Sequence, residues 1–256
     1  MPLQPGYREN SASCILCSMK LFNQTMRHLH LLCVLGLVHA VANAGDPTQV
    51  YLSEGELNYV GYLDEQANRD LFSLYDSLKD KPKTLAIRSR GGDVVPGMEL
   101  GAWVHAHKLD VKVMELCLSS CANYVFTAGA RKIVSSNAMI GFHGGLGSEE
   151  MSIGGAKKEA YDAMSASGKA AFQPGLRRAR QPLLDRETAF FNMIGVRQAI
   201  TTYGQEARFA ATVANGWTFT QQGFGSFGVD RIEVINPPWK PRLLTLHADI
   251  VNLTVQ

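Results

Sequence analysis

The amino-acid sequence predicts an α/β protein built on a mostly parallel sheet. Two observations point there. Short apolar runs ending in Gly or polar turns alternate with longer segments of helical periodicity, as in KTLAIRS before VPGMELGAWVHAHK and VKVMELCL before CANYVFTAGA. The spacing between successive apolar runs is that of βαβ units, whose parallel strands need a crossover helix between them.

The elements follow in order. LNYVGYL (57–63) reads as a strand, and a helix with Leu71, Leu74, Tyr75 and Leu78 on one face comes next. KTLAIRS is a short buried strand that runs out at Gly91-Gly92. Residues 95–108 form a helix and VKVMELCL (111–118) a strand. CANYVFTAGA (121–130) is a helix closed by Gly129, and RKIVSS and AMIGFHG are two strands. Residues 147–182 are rich in Gly, Ala, Ser, Lys and Arg and poor in large apolar side chains. This connection is far longer than usual, which suggests a lid, a subunit contact or disorder. A helix resumes over 186–200, with Phe190, Ile194 and Val196 on its apolar side. WTFTQQGFGSFGVDRIEVI supplies a turn and a strand, Pro237, Pro238 and Pro241 interrupt the chain, and LLTLHADIVNLTV reads as a terminal strand.

Hydrophobic residues make up 46% and charged residues 19%, the balance of a globular protein rather than a disordered one. A net charge of +2 gives no electrostatic case for nucleic acid or for a membrane surface. At the N-terminus, Lys20 and Arg27 precede the apolar run LHLLCVLGLVHAVA, and Ala42-Asn43-Ala44 places small residues where a signal peptidase cuts. These features predict a secretory signal over residues 1–44, cleaved after Ala44, and a periplasmic or secreted protein. The main domain is expected over 45–240, with a C-terminal strand or tail over 241–256. The apolar run is short for a bilayer span, so no stable membrane insertion is expected after cleavage. An uncleaved anchor or a buried core helix is the alternative. Cleavage leaves Cys117 and Cys121, which an oxidising compartment can join, or which pack as two small buried thiols. No His or Cys cluster accompanies them, so no metal site is expected.

The stretch from Cys117 to Gly144 carries the chemistry. Ser120 lies where a strand runs into a helix, so its side chain and the helix's free N–H groups face the same space. A helix cap is the competing role for Ser119 or Ser120. His143 returns after an apolar strand, flanked by Gly141, Gly144 and Gly145. Gly91-Gly92 allows positive φ and close backbone approach. Neither a dinucleotide fingerprint nor a P-loop is present, and no cofactor is expected.

In order, S-R-G-G, then Ser120 to the A-G-A at 128–130, then Met139-Ile140 with His143 resemble the Clp-type protease subunit of the ClpP/crotonase superfamily. The pattern is closer still to exported ClpP-like proteins of bacteria that share C-x-S-x-C before the helix and G-[FW]-H-G at the His. The resemblance covers about residues 57–146 well and 186–235 loosely. It implies a spiral of ββα units, Ser120 as nucleophile and His143 as general base. It also implies an oxyanion hole from the backbone of Gly91 or Gly92 with Cys121. The family's orienting Asp falls near Thr212 here, in a segment without an acid, so Asp185, Glu187 and Glu206 are the candidates for a third member. Lys157 and Lys158 are the alternative base of a Ser–Lys dyad.

The implied function is an exported serine hydrolase, a peptidase acting on a peptide or protein through an acyl-enzyme, and assembled as a homo-oligomer. The competing readings are a non-catalytic binding or scaffold protein on the same fold, which the missing acid favours, and an acyl-thioester enzyme of crotonase type.

Overall fold

A computed structural model describes residues 47–148, 161, 163–242 and 250–255. The expected signal segment and Lys157 and Lys158 lie outside these residues. The molecule is α/β, and its central sheet is mostly parallel.

Six strands form that sheet in the order β1 (Gln49–Ser53), β2 (Glu56–Val60), β3 (Thr84–Arg88), β4 (Asp110–Val113), β6 (Lys132–Ser135), β9 (Ile232–Ile235). β1 was not foreseen, because QVYLS is almost wholly exposed and shows no inward face. It pairs antiparallel with β2 through a tight turn at Glu54-Gly55, both in left-handed backbone. All other pairs in the sheet are parallel. Alternate residues point inward, as Leu57 and Tyr59 or Val111 and Val113 do at 0% exposure.

The expected strand over 111–118 divides in two. β4 stays in the large sheet, the chain bends at Met114-Glu115, and β5 (Leu116–Leu118) enters a second layer beside β7 (Met139–Gly141). That layer is extended by a parallel bridge from Ser89 to Cys117 and by an antiparallel bridge from Phe142 to Trp217. Trp217 opens β8 (Trp217–Phe219), which pairs in parallel with β10 (Val251–Leu253). The described end of the terminal strand thus pairs within the same chain.

Helix α1 (Glu65–Ser77) is capped by Asp64, whose carboxylate accepts the Ala67 N–H at 2.9 Å. Helix α2 (Val94–Ala106) lies against a buried π-helix (Cys121–Phe126). The contact is close because residues 97 and 101 are Gly. A Cβ on Gly101 would stand 2.4 Å from the Tyr124 carbonyl oxygen, and one on Gly97 2.9 Å from the Tyr124 ring. Helix α3 (Ala166–Ile194) corrects the view of 147–182 as a long connection. Its second half from Ala166 is the start of the helix expected over 186–200, entered at the Ser165 cap and closed by left-handed Gly195. The apolar stripe that marks a helix is missing there because that half is largely exposed. The segment expected as one turn and strand over 217–235 contains a short helix, α4 (Gln221–Ser226), between β8 and β9.

Candidate active site

Three strand ends meet at one place. The Leu118 N–H donates to the Ser89 carbonyl at 3.0 Å, and the Ser119 N–H to the Gly141 carbonyl at 2.8 Å. The carboxyl ends of β3, β5 and β7 therefore lie side by side, where α/β proteins bind their ligands. Gly91-Gly92, Ser119-Ser120 and His143 follow those ends directly.

At the centre, Ser119 Oγ lies 2.7 Å from His143 Nε2. In the tautomer that carries its proton on Nδ1, the ring accepts the Ser119 hydroxyl proton. Ser119 is half-buried and His143 exposed, so the pair is open to a substrate. Ser119 holds a left-handed backbone with φ of 56°, uncommon for a residue with a Cβ. Such strain is retained where the surroundings fix it, and here they do. The Cys117–Cys121 disulfide brackets the turn, with Cα atoms 5.2 Å apart and both cysteines wholly buried.

The serine expected to face His143 was Ser120, and this is corrected. Ser120 is 3% exposed, sits at the N-cap position of the π-helix and donates its hydroxyl to the Gly92 carbonyl at 2.9 Å. It makes no side-chain capping bond, so it is neither the partner of His143 nor a conventional cap. The helix that follows is a π-helix over Cys121–Phe126, and Ser120 is turned inward at its start. The centre of C-x-S-x-C, which is Ser119, is the signal in the sequence that marks the right residue.

The expected backbone donors shift by the same step. Ser120, rather than Cys121, carries the N–H next after the half-buried hydroxyl. Both N–H groups lie in the first turn of a helix, where no intrahelical acceptor exists. Gly91 has φ of 102°, and a Cβ there would stand 2.7 Å from Ser119 Cβ and 3.1 Å from Ser120 N. Its N–H is taken by Ser89 Oγ at 3.1 Å, so Gly91 makes room and does not donate. Gly92 bridges Leu63 in parallel fashion, through the Gly91 carbonyl and the Asp93 N–H. In a parallel bridge the N–H and C=O of the bridged residue turn away from that partner. The Gly92 carbonyl meets Ser120, so the Gly92 N–H faces the serine side as well.

None of the three proposed acids reaches the His143 ring. Asp185 is exposed and accepts from Gln181 at 2.8 Å, and Glu206 is exposed and pairs with Arg208 at 3.0 Å. Glu187 is fully buried and accepts from Tyr124 Oη at 2.6 Å, from Gln198 Nε2 at 2.7 Å and from the Leu146 N–H at 3.3 Å. Burial and the Glu187 carboxylate push the Tyr124 phenol well above its ordinary range, so it stays a donor. Thr212 is exposed and bonds the Phe209 carbonyl. Among the described residues, no carboxylate is bonded to the imidazole of His143.

No cluster of three or more His, Cys, Asp or Glu stands ready for a metal among the described residues. Among them, too, no helix is long and apolar enough to cross a membrane. A cavity of about 570 Å³ lies elsewhere, between the β1–β2 turn and residues 78–83. It contains none of the candidate residues. No protein-family model matches the chain, and no curated protein matches it.

Proposed function

We propose that this protein is an exported serine hydrolase with a ClpP/crotonase-like spiral fold, cleaving peptide or protein substrates through an acyl-enzyme at Ser119. The observation that carries this reading is the 2.7 Å pairing of Ser119 Oγ with His143 Nε2 at a strained strand-to-helix turn. A nucleophile and base within hydrogen-bond reach are the minimal machinery of acyl transfer. His143 takes the Ser119 proton as Oγ bonds the scissile carbonyl carbon, then returns it to the leaving amine. A water deprotonated by the same ring then breaks the ester and frees Ser119. In this reading the N–H groups of Ser120 and Gly92 donate to the carbonyl oxygen as it gains charge, and one such donor is typically worth about 3–4 kcal/mol of barrier.

The spiral reading is supported by repetition. β4 with β5 and the π-helix, and β6 with β7 and α3, each run from the large sheet to the small layer and then to a helix. The disulfide beside Ser119 favours an oxidising compartment and, with the N-terminal apolar run, supports export. Homo-oligomerisation belongs to the same proposal, and Phe172, Leu183 and Met193, exposed along α3, give it a surface. The specific observation behind the second reading, a binding protein on this fold, is that no carboxylate among the described residues bonds the His143 imidazole.

The test is labelling with a fluorophosphonate probe on the oxidised, signal-free chain. Wild type is expected to label, and Ser119→Ala and His143→Ala to lose labelling. Equal labelling of all three, or none in folded wild type, favours the binding protein.

A further inference from the structure

His143 carries no described acid on its ring, yet the chain around it is held at several backbone polar groups. Phe142 exchanges both backbone hydrogen bonds with Trp217, each at 2.8 Å. Gln205 Nε2 donates to the His143 carbonyl at 3.3 Å. Asn123 Nδ2 donates to the Gly144 carbonyl at 2.9 Å, and the Leu146 N–H donates to Glu187 at 3.3 Å. These holds come from β8, a 3₁₀ turn, the π-helix and α3, four separate parts of the fold.

Asn123 differs from the rest because it touches both halves of the site. Its backbone N–H donates to the Ser119 carbonyl at 2.8 Å, while its side chain holds Gly144, the residue after His143. The amide orientation follows from the partner, since only the NH₂ end can bond a carbonyl. Its Oδ1 is buried with no partner among the described residues. Its neighbour Tyr124 bonds Glu187, which in turn bonds the same loop two residues further on.

Resting on the hydrolase reading above, we propose that Asn123 is a positioning residue that fixes Ser119 and His143 against each other. It acts through the backbone of the His143 loop, the role that an acid on the imidazole fills in a triad, and Glu187 completes the hold. A triad acid orients the ring directly and its loss costs about 10⁴ in turnover. Here orientation comes from pinning the loop on which the ring stands. A positional slip of about 1 Å typically costs about 100-fold in rate.

The test is the saturation kinetics of fluorophosphonate inactivation, with amide hydrogen exchange at Gly144–Leu146, on the oxidised full chain. Asn123→Ala is expected to lower the maximal inactivation rate about 100-fold. The half-saturating probe concentration stays within about threefold, the signature of lost alignment rather than lost binding. Asn123→Leu, close in size and without a donor for Gly144, behaves like Ala. Glu187→Ala, which leaves Tyr124 Oη and the Leu146 N–H without their acceptor, lowers the rate in the same direction. Asn123→Ala reacting as fast as wild type overturns the proposal. If wild type does not react at all, the hydrolase reading fails separately. The positioning claim is then decided by the nuclear Overhauser contact between the His143 ring and the Ser119 β-protons. Its loss in Asn123→Ala supports the claim, and its survival there overturns it.

Discussion

At the scale of single residues, the site depends on two adjacent serines with different tasks. Ser119 turns its hydroxyl to His143, and Ser120 turns its own to the Gly92 carbonyl. Gly91 is the residue that lets them come so close. Gly91→Ala places a Cβ at a φ of 102° and 2.7 Å from Ser119 Cβ. The strain is expected to lower stability by about 1–3 kcal/mol and to displace Ser119 from His143. Urea unfolding and probe labelling check both effects, and a variant with unchanged stability contradicts the account. The residue types of the site were legible in the sequence, as was its order of Gly pair, Ser and His. The choice between the two serines was carried only by the centre of C-x-S-x-C, since either serine fits a strand-to-helix turn. Asn123 was invisible, since an Asn inside a buried apolar run carries no signal until its partners are known.

At the scale of elements, the turn that presents Ser119 is held from both sides. The disulfide closes a five-residue ring around it, from the middle residue of β5 to the first residue of the π-helix. Constraint of so short a loop is worth about 2 kcal/mol in the chain-entropy description. Replacing both Cys117 and Cys121 by Ala is expected to shift urea unfolding by about that amount and to slow labelling at Ser119. Unchanged labelling would show that the surrounding hydrogen bonds alone hold the turn. Strands and helices with one buried face were readable from periodicity, as α1, β3 and α2 were. The elements that escaped had no such contrast. β1 is exposed on both faces, the first half of α3 lacks an apolar stripe, and β4 and β5 read as one run because no Gly or Pro marks the bend at Met114-Glu115.

At the scale of the whole molecule, one buried charge affects how stability varies with pH. Lys132 stands on β6 at 5% exposure, facing the same side as the buried Val134. Burial, aided by the nearby Arg231 guanidinium, pushes its ammonium down from 10.5 to about 8. Between those two values the unfolded chain binds a proton that the folded chain does not, so stability rises with pH across that window. Below it both states are charged and the full penalty for burying the charge remains. Lys132→Met is therefore expected to raise stability near pH 7 by up to about 3 kcal/mol and to remove the alkaline rise. Denaturant titrations of both proteins from pH 7 to pH 10 check this, and parallel curves contradict it. The α/β class and the parallel sheet were legible because they depend on the alternation of whole elements. Assembly and export depend on surfaces and compartments, and they remain proposals for light scattering and N-terminal sequencing of the secreted chain.

The central claim is that chemistry starts at Ser119. Tandem mass spectrometry of the phosphonylated peptide spanning Cys117 to Ala130 tests it most directly, with Ser120→Ala run beside wild type. The account predicts a single adduct on Ser119 in both proteins. An adduct on Ser120, or none on this peptide in folded and oxidised protein, contradicts it.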